Sequence, residues 1–141
     1  MPPPEYRSGE SKAKLTMAIV IARKEKMQVD KIEKMLLDVG VPANLLGFKY
    51  LKDAINCALD DPEVLYKFTN VLYPTVGKLN GTTKTGAERS MRHAIKVSSQ
   101  RVSADAAHKY FGNSANPKER KLTNSEFVAA MVLALKEDKS E

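Results

Sequence analysis

A tight turn between two helical patterns restricts this chain more than any other feature. It lies in the stretch from Val71 to Arg101, VLYPTVGKLNGTTKTGAERSMRHAIKVSSQR. Pro74 opens the first helix, a position that tolerates a missing N–H, and that helix is short, Pro74 to Leu79. Asn80-Gly81 makes the turn, since glycine accepts backbone angles that other residues resist. Thr82 or Thr83 caps the next helix by accepting its free backbone N–H groups. Beyond the cap, Ala87, Met91, Ala94 and Ile95 repeat at helical spacing and mark a face turned to a core. Arg89, Arg92, His93 and Lys96 recur at i, i+3, i+4 and i+7 on an exposed stripe, with Thr85 and Glu88 at its start. The order is that of a helix-turn-helix. A helix of this kind fits the major groove of B-DNA, and its N-terminal residues reach base edges.

Charge points to the same class of partner. The 141 residues hold 23 basic and 17 acidic side chains, a formal net charge of +6. From Thr82 to Arg101, five basic residues (Lys84, Arg89, Arg92, Lys96 and Arg101) stand against one acid, Glu88. A basic balance favours polyanions. A soluble basic protein that binds nothing would carry the same total, and the clustering is what separates the two. Tryptophan is absent, which argues against a surface that stacks bases or carbohydrate.

The length suits one ordinary domain plus tails, able to bury a core without disulfides or metals. Cys57 is the sole cysteine, so no internal disulfide exists and a reducing cytosol fits. Its neighbours Leu51, Ala54, Ile55, Ala58 and Leu59 make it a small core hydrophobe. The longest apolar run, Met17 to Ala22, is too short to span a bilayer, and no signal-peptide cleavage pattern follows it.

Two parts divide the chain: residues 1–28, a tail with an extra element, and residues 29–141, the helix-turn-helix domain. Met1 to Gly9 is Pro-rich and polar, a mobile tail. Ser11 to Gln28 reads as a helix, although Ile19, Val20 and Ile21 also suit a strand. With basic residues at both ends, it fits a core or dimer-forming helix better than one lying on a membrane, because it lacks a clean amphipathic face. Val29 to Val39 is a helix stopped by Gly40, with Val29, Ile32, Met35, Leu36 and Val39 on one face. A short turn of helix over Ala43 to Phe48 and a helix over Tyr50 to Leu59 follow. Asp61 caps the next helix with Pro62 at its first position; Val64, Leu65, Phe68, Val71 and Leu72 form its buried face. After the basic helix, Ala104 to Phe111 is a short helix ending at Gly112, and Asn113 to Lys121 is a polar loop. Thr123 and Glu126 make a capping box, with Leu122 packed on Phe127, for a last helix running to about Lys136. The fold class is all-α, a compact bundle of about six helices.

The chain presents no catalytic constellation, and an enzyme is not expected. His93 and His108 are the only histidines, and neither has companions spaced as metal ligands. His93 belongs to the basic stripe, and His108 to a helix surface. Asp60-Asp61 is explained by capping, since a phosphoacceptor pocket requires alternating strands and helices. No cofactor is expected.

Three stretches together carry a family likeness: GVPANLLGFKYLKDAI, VLYPTVGKLNGTTKTGAERSMRHAIKV and LTNSEFVAAMVLAL. They resemble the DNA-binding effector domains of the stage 0 sporulation regulators, from about Val29 to Lys136, with the same element order and a nearly unbroken ER-x-x-RHAI-x-V segment. The resemblance implies a six-helix effector domain on double-stranded TGTCGAA-type boxes, bound as tandem head-to-tail pairs. Thr85, Glu88, Arg89, Arg92, His93 and Lys96 match the positions that contact bases and phosphates in the family. Arg101 to Ser114 aligns with a segment that touches the RNA polymerase sigma factor. The chain departs from the family in three respects. It holds no receiver domain, so phospho-control is not expected. Gly86 stands where a larger basic residue is usual, and Lys96 replaces an acid, which together imply an altered box preference. Ser103 to Gly112 also diverges.

The expected function is therefore that of a cytoplasmic, nucleoid-associated regulator that reads double-stranded DNA in sequence. Its contact set is Thr83, Lys84, Thr85, Glu88, Arg89, Arg92, His93, Lys96 and Arg101, on a recognition helix over about 84–101, with a homodimer on DNA. The rival is a protein-interaction or anti-activator module that uses the basic N-terminal helix.

Overall fold

The computed structural model describes residues 8–112, 117 and 120–139. Every regular element among them is helical: α1 (Ser8–Asp38), α2 (Leu46–Asp60), α3 (Tyr73–Leu79), α4 (Lys84–Arg101), α5 (Ala104–Phe111) and α6 (Asn124–Lys139). This is the all-α class, with about six helices, that the patterning implied. Contacts divide the chain into two units, Met1–Lys31 and Ile32–Glu141.

In the first unit α1 is helical from Ser8 without a break, so the strand alternative for Ile19-Val20-Ile21 does not hold. Their β-branching lowers helix propensity only by tenths of a kcal/mol each, and no strand forms among the described residues to pair with them. A separate helix starting at Val29 is likewise replaced by this single one. Ser8 and Gly9, read as tail, begin it; residues 1–7 lie outside the described residues.

The second unit holds the core. Ile32 and Leu36 of α1's last turns, with Val39 just beyond it, meet Leu51 and Ile55 of α2, Met91 and Ile95 of α4, and Phe127 and Met131 of α6; all are at most 2% exposed. Cys57 packs on this core half-buried, and burial pushes its thiol pKa up. The Ser98 hydroxyl, buried on α4, donates to the Val39 carbonyl at 2.6 Å. Tyr110 of α5 donates its hydroxyl to Asp38 at 2.9 Å.

Two helical segments expected between Ala43 and Leu59 are one, α2, starting at Leu46. Gly47 lies inside it. A Cβ there would strike the Ser90 carbonyl oxygen and come within 2.5 Å of the Ala94 Cβ. The missing side chain is what lets α2 and α4 touch backbone to backbone.

The helix expected after Asp61 is instead two short turns. Asp61 caps as expected, accepting from the Glu63 N–H at 3.1 Å, but the turn that follows, Pro62–Tyr66, is of the tighter 3-10 kind. Lys67 leaves helical geometry (φ −133°, ψ 43°), and Phe68–Leu72 form a wide π turn. Pro74, close behind, supplies no N–H. The Thr75 hydroxyl donates to the Val71 carbonyl at 2.7 Å. This broken path turns Val71 outward and leaves Leu65 and Phe68 half-buried, so only Val64 and Leu72 of the expected face are buried.

The capping box of α6 forms as spaced. Thr123 accepts from the Glu126 N–H at 3.1 Å, and Glu126 accepts from the Thr123 N–H at 3.0 Å. Arg120 also grips Glu126 through two bonds of 3.0 and 2.8 Å. Leu122 and Phe127 are both buried, and the helix runs to Lys139, past Lys136. Of the loop read over Asn113 to Lys121, residues 113–116, 118 and 119 lie outside the described residues.

Two outcomes follow. Gly47→Ala gains about 1 kcal/mol of helix propensity, yet urea unfolding is expected to show a net loss of about 1–3 kcal/mol from overpacking. Glu126 provides a pH signature. The Arg120 bonds, then the Thr123 backbone N–H, lower its pKa from 4.5 to about 2. A depressed carboxylate pKa stabilises the fold fully above pH 4.5, and that stability is lost as pH falls towards 2. Stability measured across this window should fall less steeply in Glu126→Gln than in the parent.

Candidate nucleic-acid interface

The turn between α3 and α4 is set by backbone contact. A Cβ on Gly77 would lie 2.8 Å from the Thr82 oxygen and 3.0 Å from the Thr83 carbonyl carbon. The Thr82 N–H donates to the Gly77 carbonyl at 2.8 Å, and Gly81 takes φ 68° between them. Asn80 extends the lock outward, its side-chain amide donating to Asp53 of α2 at 2.8 Å and to the Val76 carbonyl at 2.9 Å.

Of the two candidate threonines, Thr83 caps α4. It is extended (φ −87°, ψ 166°), and its hydroxyl oxygen accepts from the Gly86 N–H at 3.0 Å. Thr82 is half-buried beside Gly86, where a Cβ would run into its hydroxyl. A larger residue at position 86 requires that hydroxyl to swing aside.

Helix α4 spans Lys84–Arg101, the limits expected of it. Ala87, Met91, Ala94 and Ile95 are buried as their spacing required, and Ser98 joins them. At about 100° per residue, Thr85, Arg89, Arg92, His93 and Lys96 fall in one arc about 100° wide, opposite the buried face. All five are exposed. Gln100 is exposed in the same arc. The sequence reading passed over it because it is uncharged, though its place four residues after Lys96 was signal enough.

The remaining candidates lie off this arc. Thr83 precedes the helix, and Lys84 is its exposed first residue. Glu88 is half-buried at one edge, where its carboxylate meets the Arg92 guanidinium at 3.3 Å. Arg101 is exposed at the far end but faces away from the arc, its Cβ within 3.0 Å of where a Gly40 side chain would start. His108 is exposed on α5. No group of three or more His, Cys, Asp or Glu among the described residues could hold a metal ion.

A short helix locked through a glycine to a threonine-capped basic helix, with its cationic arc open, defines a helix-turn-helix domain of the nucleic-acid-binding class. Residues 32–135 match the family described as sporulation initiation factor Spo0A C terminal, and the chain belongs to this family. The match begins at Ile32, the residue at which the second unit begins. The family is one of DNA-binding effector domains acting in the transcription regulation of sporulation, not a family of enzymes. No helix among the described residues is long and apolar enough to cross a membrane.

Thr83→Ala should cost about 1 kcal/mol through loss of the cap. Thr82→Ala should cost less, because the Thr82 hydroxyl does not cap α4. Denaturant unfolding of the two variants distinguishes them.

Proposed function

We propose that this protein is a sequence-specific regulator that reads double-stranded DNA by placing α4 in the major groove, within the cytoplasm and on the nucleoid. The observation that carries this reading is the exposed arc of Thr85, Arg89, Arg92, His93 and Lys96 on a capped helix whose other face is buried. Arg89 and Arg92 suit bidentate donation to guanine edges, and Glu88 suits acceptance from a cytosine amino group. Lys84, His93, Lys96 and Gln100 suit phosphate contact that sets the register. Thr83 reaches the backbone from the cap, and Arg101 serves as an outlying phosphate contact. The target by family resemblance is a tandem TGTCGAA-type box, occupied by two copies. Contact with the polymerase sigma factor through the region from Arg101 onward belongs to the same reading.

A second reading rests on a separate observation. Leu15, Met17, Ile19, Ile21 and Met27 of α1 are each between 43% and 63% exposed. Apolar surface of this extent favours a protein-interaction module, the helix-turn-helix serving as scaffold and residues 11–28 meeting a partner.

Fluorescence anisotropy on a tandem-box duplex and a scrambled duplex, across a salt series, separates the readings. Discrimination that survives rising salt supports sequence reading, whereas equal and steeply salt-dependent binding means phosphate contact alone. Arg92→Ala should cost about 1–3 kcal/mol on the box and relax specificity, whereas Lys96→Ala should weaken both duplexes alike and reduce the salt slope by about 1. Equal losses from both variants on both duplexes would sink this division of roles.

A further inference from the structure

Asn124, the first residue of α6, lies outside the helix-turn-helix yet bonds to both of its helices. It is 7% exposed. Its side-chain amide donates to the Tyr73 hydroxyl of α3 at 3.0 Å and to the Glu88 carbonyl of α4 at 3.2 Å. Its own oxygen is buried without a partner. The amide orientation is fixed by chemistry: turned over, the oxygen would face the Glu88 carbonyl, and two acceptors repel. Leaving a buried acceptor unsatisfied is unfavourable, so the residue must be held there by its two donated bonds.

Those bonds end beside an ion pair of the interface. The Glu88 carboxylate meets the Arg92 guanidinium at 3.3 Å. The Tyr73 hydroxyl lies within electrostatic reach of both: burial chiefly raises its pKa, with Glu88 also raising it and Arg92 lowering it. Asn124, Tyr73, Glu88 and Arg92 therefore form one connected group across α6, α3 and α4.

We propose that Asn124 is a positioning residue for sequence discrimination. By holding the Glu88 main chain and the Tyr73 hydroxyl, it fixes the second turn of α4 and with it the direction in which Arg92 is presented to a base edge. Discrimination at the base that Arg92 reads then depends on a residue of α6. This inference rests on the reading of α4 as the recognition helix, and the test below tells failure of the one from failure of the other.

The experiment uses the full chain with Asn124→Ala, Tyr73→Phe, Arg92→Ala and the Asn124→Ala/Arg92→Ala double variant. The first readout needs no DNA: the Arg92 side-chain Nε–H resonance of the free protein. Asn124→Ala is expected to shift and broaden it, and an unchanged resonance in a folded variant overturns the proposal. The second readout is the ratio of affinities for box and scrambled duplexes. Loss of Asn124 should lower it by about 2- to 10-fold, the value of a neutral hydrogen bond, with the scrambled affinity and the salt slope unchanged. The double variant should lose little beyond Arg92→Ala alone. Full additivity, or a uniform loss on both duplexes, overturns the proposal. Should Asn124→Ala fail to fold, Tyr73→Phe removes only one hydroxyl and decides in its place, on the same two readouts. A parent protein that does not discriminate at all refutes the recognition-helix reading, while the resonance still decides whether Asn124 positions Arg92.

Discussion

The contact on which the rest of the bundle depends is the backbone approach of α2 to α4 at Gly47. Helix α4 buries Ala87, Met91, Ala94, Ile95 and Ser98 while keeping the opposite arc free. With so little polar-free surface on a basic helix, the buried stripe must be narrow and tightly packed. Its small members serve that need, for Ala94 faces Gly47 and the Ser90 carbonyl closes on the same point. Dispersion falls steeply with separation, so a gap of one methyl group here would weaken contact along the whole crossing. Once α4 is seated, Gly77 and the Thr82–Gly77 bond fix where α3 leaves it. The attitude of the cationic arc is thus set by two glycines, neither of which lies on it.

Much of this was legible in the sequence because it is local. The limits of α4, its buried face and its exposed stripe follow from helical periodicity. The α6 capping box follows from spacing alone, as does the Asp61 cap. The misreadings share a different cause. Gly47 sits inside α2 where the opposing Ser90 and Ala94 exclude a side chain, a requirement that only the packing of α4 reveals. Lys67 carries no mark of the bend it makes, and Pro74 does not announce that the turn before it widens. The helices read over Ser11–Gln28 and Val29–Val39 are one, because nothing between Gln28 and Val29 interrupts helical geometry. Arg101 entered the contact set by charge, and its direction, away from the arc, follows from helix geometry nine residues after Arg92. Asn124 was invisible because its importance lies in contacts 36 and 51 positions away.

The electrostatic pattern follows the same geometry. Glu88 is the lone acid of α4, and it pairs with Arg92 rather than standing free. An exposed pair at i, i+4 contributes little to stability, so its effect is on direction. A guanidinium tethered at one edge is presented with fewer rotamers than a free one, which lowers the entropy lost on forming a bidentate contact.

Gly86 and Lys96, the positions where the resemblance implies a departure from the family, act through the same geometry. Gly86 costs the first turn of α4 about 1 kcal/mol of propensity relative to alanine, but its N–H is the one that Thr83 accepts. The cap therefore restores order at the point where glycine removes it. Lacking a side chain, position 86 also leaves the Thr82 hydroxyl in place and the helix start slim, so the turn can come nearer to a phosphate backbone than a larger residue would permit. Lys96 adds a cation to the C-terminal half of the arc, two turns from Glu88. In the proposed reading these two changes work together. Contact moves away from a side chain at the helix start and towards backbone approach there and phosphate attraction further along. Such a shift weakens one element of base reading while increasing the salt-dependent part of the affinity.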